Sequence, residues 1–331
     1  MILALAITGP TGSGKTALSL SIAKAFDAEI LSLDSMQIYR YMDVGTAKVT
    51  KEEQAVVPHH MIDILDPGEP FSAKEYEDRA LPLCRELCAR GKRPLFVGGT
   101  GLYLDSLTRT PPPEIPGSDP AFRDALARRF PTPDGTLDAV ALWEYLRLID
   151  PESAEKTHPN NTRRVARAVE IYEATGRTKS EHDRLSRECP PRLYTAQISL
   201  DIHNRDTLYR RIDERVDKML RAGLLDELSS LIARGFFQND STARQAIGYK
   251  ELLPYFESGA PLSLCVEDLK MQSRRYAKRQ LTWFRHTEGA YPLYLDREDG
   301  TLRSEEELFC EAQAFFEKRI AEHAALTTTI S

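Results

Sequence analysis

The segment Gly9-Pro10-Thr11-Gly12-Ser13-Gly14-Lys15-Thr16 constrains this chain more than any other stretch. It matches the pattern G-x-x-x-x-G-K-[ST], a loop that wraps phosphate. In such a loop successive backbone N–H groups turn inward around phosphate oxygens, and the glycines supply torsions that other residues resist. The helix that follows adds the positive end of its dipole, Lys15 adds a point charge, and the Thr16 hydroxyl can hold a magnesium ion. At ordinary residue frequencies a chance match somewhere in the chain is on the order of 1%. The loop also needs a strand before it and a helix after it. The apolar run Leu3–Ile7 and the helical pattern of Thr16–Phe26 supply both. The motif calls for a di- or triphosphate ligand and leaves its identity open.

The rest of the first third repeats that alternation. Glu29–Leu33, Met61–Leu65 and Pro94–Val97 are short branched apolar runs that read as strands, and Ala73–Arg90 reads as a helix. Thr195–Asp201 and Tyr291–Leu295 read as later strands of the same sheet. The expected fold is α/β, a P-loop NTPase-like, mostly parallel sheet with helices on both faces. Between the strands the character changes. A Pro-rich connection runs from Thr110 to Pro120, and the pattern is then helical and highly charged, closed by Pro190-Pro191. This places a helical insertion at residues 117–192 within a core made of residues 1–116 and 193–331. Ile202–Gly235 reads as amphipathic helices interrupted at Gly223, and Thr327–Ser331 as a frayed end.

With 331 residues, 41% of them hydrophobic, the chain can build one large core and a smaller one. No apolar run approaches the roughly 20 residues that span a bilayer. Met1–Ile7 lacks a preceding basic residue and stops at Gly9 and Pro10, so it reads as a buried strand rather than a signal peptide. The five cysteines, Cys84, Cys88, Cys189, Cys265 and Cys310, show no paired metal-like spacing and read as reduced thiols. Together these features predict a cytoplasmic protein. The net charge of −6 argues against a general nucleic-acid binder. Its distribution argues the other way locally, because Lys270, Arg274, Arg275, Lys278, Arg279 and Arg285 lie together with no acid from Lys270 to His286.

Strand two runs into Asp34-Ser35-Met36-Gln37-Ile38-Tyr39-Arg40. In an open parallel sheet, residues just past the carboxyl ends of strands face the ligand crevice. A carboxylate there, beside a phosphate loop, can hold magnesium, accept a proton, or simply cap the next turn. Further blocks follow in order: Gly45-Thr46-Ala47-Lys48, His59-His60-Met61-Ile62-Asp63, Val97-Gly98-Gly99-Thr100-Gly101-Leu102-Tyr103, His158-Pro159-Asn160, Arg164–Glu170, Arg211-Ile212, Ala246–Glu251 and Ala277–Arg285. With the phosphate loop and the Asp34 segment, these blocks make residues 1–300 resemble the tRNA dimethylallyltransferase family. The chain departs at Asn161, where that family usually has Asp, at Ala168-Val169 for the usual Ala-Leu, and at Val49 for a common Pro.

The resemblance implies a donor, dimethylallyl diphosphate, whose diphosphate lies in the loop from Gly9 to Thr16 with Arg211 beside it. It implies an acceptor, the exocyclic N6 of adenine-37 in the tRNA anticodon loop, and magnesium as the cofactor. Asp34 then matches the general base, and Thr100 matches a residue contacting the same nucleotide. Thr11 would flank the leaving group. Ser35, Met36 and Gln37 fall in the same tRNA-facing segment. Arg123, Arg163, Arg164, Arg167, Arg244, Lys278, Arg279 and Arg285 match or neighbour family RNA contacts, and a monomer is expected. The chemistry is consistent with these roles. A diphosphate gathers charge as the allylic bond breaks, which a phosphate loop stabilises. The adenine amine is a poor nucleophile unless a base removes its proton, and its base must leave the stack to reach a pocket. Basic residues interleaved with Trp283 and Phe284 suit phosphate contact and base stacking, although both rings also fit the buried face of a helix. Two alternatives share the loop and Asp34: a P-loop kinase of a small molecule, and an adenylate isopentenyltransferase. Neither has a use for the basic C-terminal block. A guanine-nucleotide switch would need an N-K-x-D motif, which the chain lacks.

Overall fold

The computed structural model describes residues 2–108, 115, 117, 119–237 and 242–330. The chain divides into two compact units, Met1–Thr108 with Leu193–Ser331, and Arg109–Arg192. Most of the Pro-rich connection, at 109–114, 116 and 118, lies outside the described residues.

The first unit is built on a single six-stranded sheet in the order β3-β2-β4-β1-β5-β6. The strands are β1 (Ile2–Thr8), β2 (Ala28–Leu33), β3 (His59–His60), β4 (Arg93–Gly98), β5 (Leu193–Asp201) and β6 (Tyr291–Tyr294). Every neighbouring pair is parallel. β1 is central and buried on both faces, as its unbroken apolar run requires. Leu5 and Ile7 pack with Ile22 and Phe26 of the region of α1 (Lys15–Ala25) on one face. Ala4 and Ala6 pack with Tyr76, Ala80 and Leu104 on the other, from α3 (Ala73–Ala89) and α4 (Gly101–Thr108). A short α2 (Lys51–Val56), closed by a Thr50–Glu53 capping box, precedes β3.

The expected strand Met61–Leu65 is displaced. β3 is the preceding pair His59–His60, aligned with Ile30 and Leu31. Met61 and Asp63 adopt left-handed backbone with φ of 61° and 53°, which a strand cannot contain. The segment instead bonds to the turn after β2, through Asp63 N–H to Gln37 O and Ile64 N–H to Ile38 O. Apolar content there reflects burial of that turn, not membership of the sheet.

The second unit is helical: α5 (Pro120–Arg129), α6 (Ala139–Ile149), α7 (Pro151–Glu155), α8 (Thr162–Thr175) and α9 (Lys179–Glu188). It owns a core of Leu126, Leu142, Leu146, Val165 and Val169. Buried Asp150 ties α7 to α9 by accepting from the Ser153 and Ser180 amides.

Back in the first unit, α10 (Arg205–Arg221) and α11 (Leu224–Ala233) are separated by Gly223 at φ 96°, as the sequence predicts. A short α12 (Leu253–Ser258) leads to the long α13 (Leu262–Arg285). The chain ends in α14 (Glu305–Ile330), which places Ala312 and Phe316 in the core beside α1, so most of the expected frayed tail continues a helix. The basic block lies on α13, and α10 neutralises part of it. Asp213 and Asp217, one turn apart, pair with Arg274 at 2.6 Å and Lys270 at 2.7 Å. No described helix is long and apolar enough to cross a membrane.

Candidate active site

β1 ends at Thr8 and the chain turns at once into the phosphate loop, which runs into α1. Gly14 caps that helix at φ 85°, a conformation costly for any residue with a Cβ. A Cβ there would also lie 3.2 Å from the Arg211 Nη2 atom, so the arginine of α10 covers the loop at this point. Lys15 donates from Nζ to the carbonyls of Gly9 at 2.9 Å and Pro10 at 2.7 Å. Burial and the nearby Arg215 push its pKa down to about 7, with Asp34 acting in the opposite sense. Ser13 Oγ is buried with no hydrogen-bond partner. A phosphate oxygen would satisfy both groups, since both offer donors to the same space.

A cavity of about 420 Å3 opens on this loop. Thr11 through Thr16 line one part of it, and Asp34, Ser35, Met36 and Gln37 line another. Tyr276, Arg279 and Gln280 of α13 and Arg215 of α10 also line it. Its apolar wall includes Ile30, Val97, Val216, Met219, Ile247 and Leu269. Gly9, Pro10, Arg211 and Thr100 are not among its lining residues.

Asp34 sits immediately after β2. Its Oδ1 accepts from the Met36 amide at 2.8 Å and the Gln37 amide at 3.3 Å. The turn-capping use of this carboxylate is therefore real, and it occupies one oxygen only. Gln37 spends its carboxamide on the chain, accepting from Ser32 Oγ at 3.2 Å and donating to Thr46 O and Ala47 O at 3.4 Å. It braces the turn against the Gly45–Lys48 segment. Glu227 holds that segment more firmly, taking the amides of Asp43, Val44 and Gly45 at 2.8, 2.8 and 2.9 Å and the Tyr249 hydroxyl at 2.7 Å. Lys48 is nearly enclosed, with its ammonium on Tyr39 O, Asp43 and Asp63.

Thr100 follows β4, its amide bonded to Leu33 O at 2.9 Å, which sets it beside the end of β2. The Tyr276 hydroxyl faces Thr100 and Gln280. Burial, then the Asp34 charge, push the Tyr276 pKa up to about 12.

The expected RNA-contacting residues separate into two groups. Lys278 and Arg279 are exposed on α13, and Arg163 and Arg164 are exposed on α8. The others are engaged. Arg285 makes a bidentate pair with Asp201, both bonds at 2.7 Å, and that carboxylate is buried. Its guanidinium holds the end of β5, so Arg285 has a structural partner within the chain. Arg244 bonds Phe237 O and Glu257, and Arg167 bonds Glu170 at 2.6 Å and Gly117 O at 3.2 Å. Arg123 lies on α5 in the second unit and also has a partner. Asn161 occupies the N-cap of α8 without a side-chain capping bond. Phe284 is core, whereas Trp283 is 38% exposed with its indole lying where a Cβ on Gly101 would fall.

Arg215 and Gln280 were missed by sequence reading. Arg215 lies one helical turn beyond Arg211 and so on the same face of α10, a spacing that could have revealed it. Gln280 sits inside a recognised block, but its role depends on two distant backbone contacts. A divalent ion fits the cavity only with help: Thr16 and Asp34 both line it, yet no group of three His, Cys, Asp or Glu occurs among the described residues. Most of the coordination of magnesium would come from a diphosphate and water.

The architecture has close relatives. Residues 37–287 match the family model described as IPP transferase, and residues 2–63 match that described as isopentenyl transferase. A tRNA dimethylallyltransferase of Geobacillus thermodenitrificans is 50% identical over 281 residues, 85% of this chain and 86% of that one. The Bacillus subtilis tRNA dimethylallyltransferase is 47% identical over 280 residues, 85% and 87% of the two chains. Among solved structures, the tRNA isopentenylpyrophosphate transferase of Staphylococcus epidermidis superposes with a TM-score of 0.69 at 40% identity, covering 96% of this chain and all of that one. A eukaryotic dimethylallyltransferase acting on tRNA gives 0.74 at 30% identity, over 89% and 74%. A family model spanning most of the chain, relatives near half identity and the shared fold agree that the chain belongs to the IPP transferase family.

Proposed function

We propose that the protein transfers a dimethylallyl group from dimethylallyl diphosphate to the N6 atom of adenine-37 in the tRNA anticodon loop. One observation carries the reading: a single cavity is lined both by the phosphate loop and by Asp34 with its turn. Donor and acceptor can thus meet in one space. The diphosphate lies in Gly12–Thr16, with Lys15, Arg211 and Arg215 around it and the Ser13 hydroxyl donating to it. The five-carbon chain lies along the apolar wall. Thr16 would hold a magnesium ion, which would neutralise charge on the leaving diphosphate.

The adenine N6 lone pair forms the new N–C bond as the allylic C–O bond breaks, and that electron pair leaves on the diphosphate. The N6 proton passes to Asp34, whose other oxygen stays bonded to the turn. Tyr276 remains protonated, so it serves as a donor and does not compete for that proton. Thr100 contacts the same nucleotide. Lys278, Arg279, Arg163 and Arg164 supply exposed positive charge for RNA phosphates. Ser35 and Met36 line the acceptor side. All five cysteines are free thiols, which suits a reducing compartment such as the cytoplasm. None of the relatives named above is a small-molecule kinase, and that alternative has no observation in its favour. Incubation with labelled dimethylallyl diphosphate and unmodified tRNA tests the reading. Label should enter tRNA without ATP, and a requirement for ATP with no use of the allylic donor would refute it.

A further inference from the structure

Gln280 connects the two halves of this cavity. Its Oε1 accepts the Thr11 amide of the phosphate loop at 2.9 Å, and its Nε2 donates to Gly99 O, at the end of β4, at 3.0 Å. The loop amide and the strand-end carbonyl belong to segments 88 positions apart in the chain, and no direct bond between them is needed once Gln280 spans both. The side chain is buried, at 6% exposure, so neither bond exchanges readily with water. Glycine at position 99 is part of the arrangement, because a Cβ there would lie 2.0 Å from Gln280 Nε2. The next residue, Thr100, faces the Tyr276 hydroxyl, which lies one helical turn before Gln280 on α13 and faces Gln280 as well.

We infer that Gln280 is a positioning residue that sets the separation between the phosphate loop and Thr100, and so between the donor carbon and the acceptor nitrogen. The inference rests on the transferase reading above. Its basis is that attack on an allylic carbon requires the two reactants to approach within about 3–3.5 Å in line, and a misplacement near 1 Å can cost about a hundredfold in rate. Both reference points are backbone, the loop at Thr11 and the strand end at Gly99. A carboxamide that accepts from one and donates to the other is the only described side chain bonded to both. It touches neither reacting atom, so its effect passes through geometry.

The test uses Gln280→Met, which keeps the volume and makes neither bond, Gly99→Ala, which drives Gln280 aside, and the double variant. Single-turnover transfer is measured at saturating labelled donor and tRNA, with tRNA and donor affinities and a melting curve alongside. Gln280→Met should lower the rate roughly 10- to 100-fold while both affinities change less than about threefold. Gly99→Ala should lower it similarly. The double variant should be no slower than the worse single one, because both act on the same contact. A melting temperature reduced in step with a normal rate below the transition would make Gln280 a stability residue and overturn the inference. Fully multiplicative rate losses would overturn it too. If the unsubstituted protein transfers no label to tRNA, the transferase reading fails first and the inference falls with it.

Discussion

Replacing Asp34 separates chemistry from architecture, because the turn after β2 uses only one of its carboxylate oxygens. Oδ1 accepts two backbone amides, at 2.8 and 3.3 Å. Asn at this position retains a carbonyl oxygen for those amides but has no oxygen able to take a proton. Asp34→Asn should therefore change stability by less than about 1 kcal/mol. It should slow single-turnover transfer by roughly 10²–10⁴, the usual worth of a general base, or about 3–5 kcal/mol of barrier. Asp34→Ala loses the same chemistry and also the turn, which adds about 1–2 kcal/mol of destabilisation. The assay is rapid mixing of a preformed complex of protein and labelled donor with tRNA, both saturating, paired with a urea melt of each variant. A magnesium-ligand role predicts a different pattern, in which raising the metal concentration restores most of the rate. Transfer by Asp34→Asn within about threefold of the unsubstituted rate would refute the base assignment.

Lys15, held near pKa 7 in the free protein, must be cationic beside a diphosphate, so donor binding above pH 7 takes up a proton. Donor affinity should fall between pH 7 and 9, by up to about tenfold per unit, and the fall should vanish in Lys15→Gln; calorimetry in buffers of different ionisation heat measures both. Replacing Lys278 and Arg279 together with Ala should weaken tRNA binding and flatten the log–log salt slope by about 1.5, read by filter binding between 50 and 200 mM salt. Arg285→Ala should leave that slope unchanged and instead cost about 2 kcal/mol in a urea melt, discounted because the guanidinium is partly exposed, since it strands the buried Asp201 carboxylate. Glu227→Ala removes the acceptor for three amides and a tyrosine hydroxyl, and should cost about 3 kcal/mol while donor binding at saturation survives; a melt indistinguishable from the unsubstituted protein would show the Gly45 segment to be held by other contacts.

Much of this protein is determined by local sequence. The phosphate loop is one, because its function is carried by consecutive amides whose torsions depend on Gly9, Gly12 and Gly14 in place. The central strand β1 is another, since Leu3–Ile7 is apolar throughout and a segment apolar on both sides has to be covered on both faces. The break at Gly223 and the helical character of residues 120–176 were equally visible, through spacing and caps. What sequence alone left undecided depends on partners far away in the chain. Met61–Leu65 looks like a strand by composition, yet its amides bond to Gln37 O and Ile38 O of the turn after β2, and Met61 and Asp63 take left-handed backbone. The basic block looked uniform along α13, and only α10 and β5 decided that Lys270, Arg274 and Arg285 are neutralised while Lys278 and Arg279 face solvent. Arg215 and Gln280 gained their places in the same way, the first by facing Lys15 across the cavity and the second by bridging Thr11 and Gly99. The physical reason is common to all of them. Backbone torsion and apolar periodicity are properties of neighbouring residues, whereas the fate of a charge or an amide depends on which group the fold brings within about 3 Å of it.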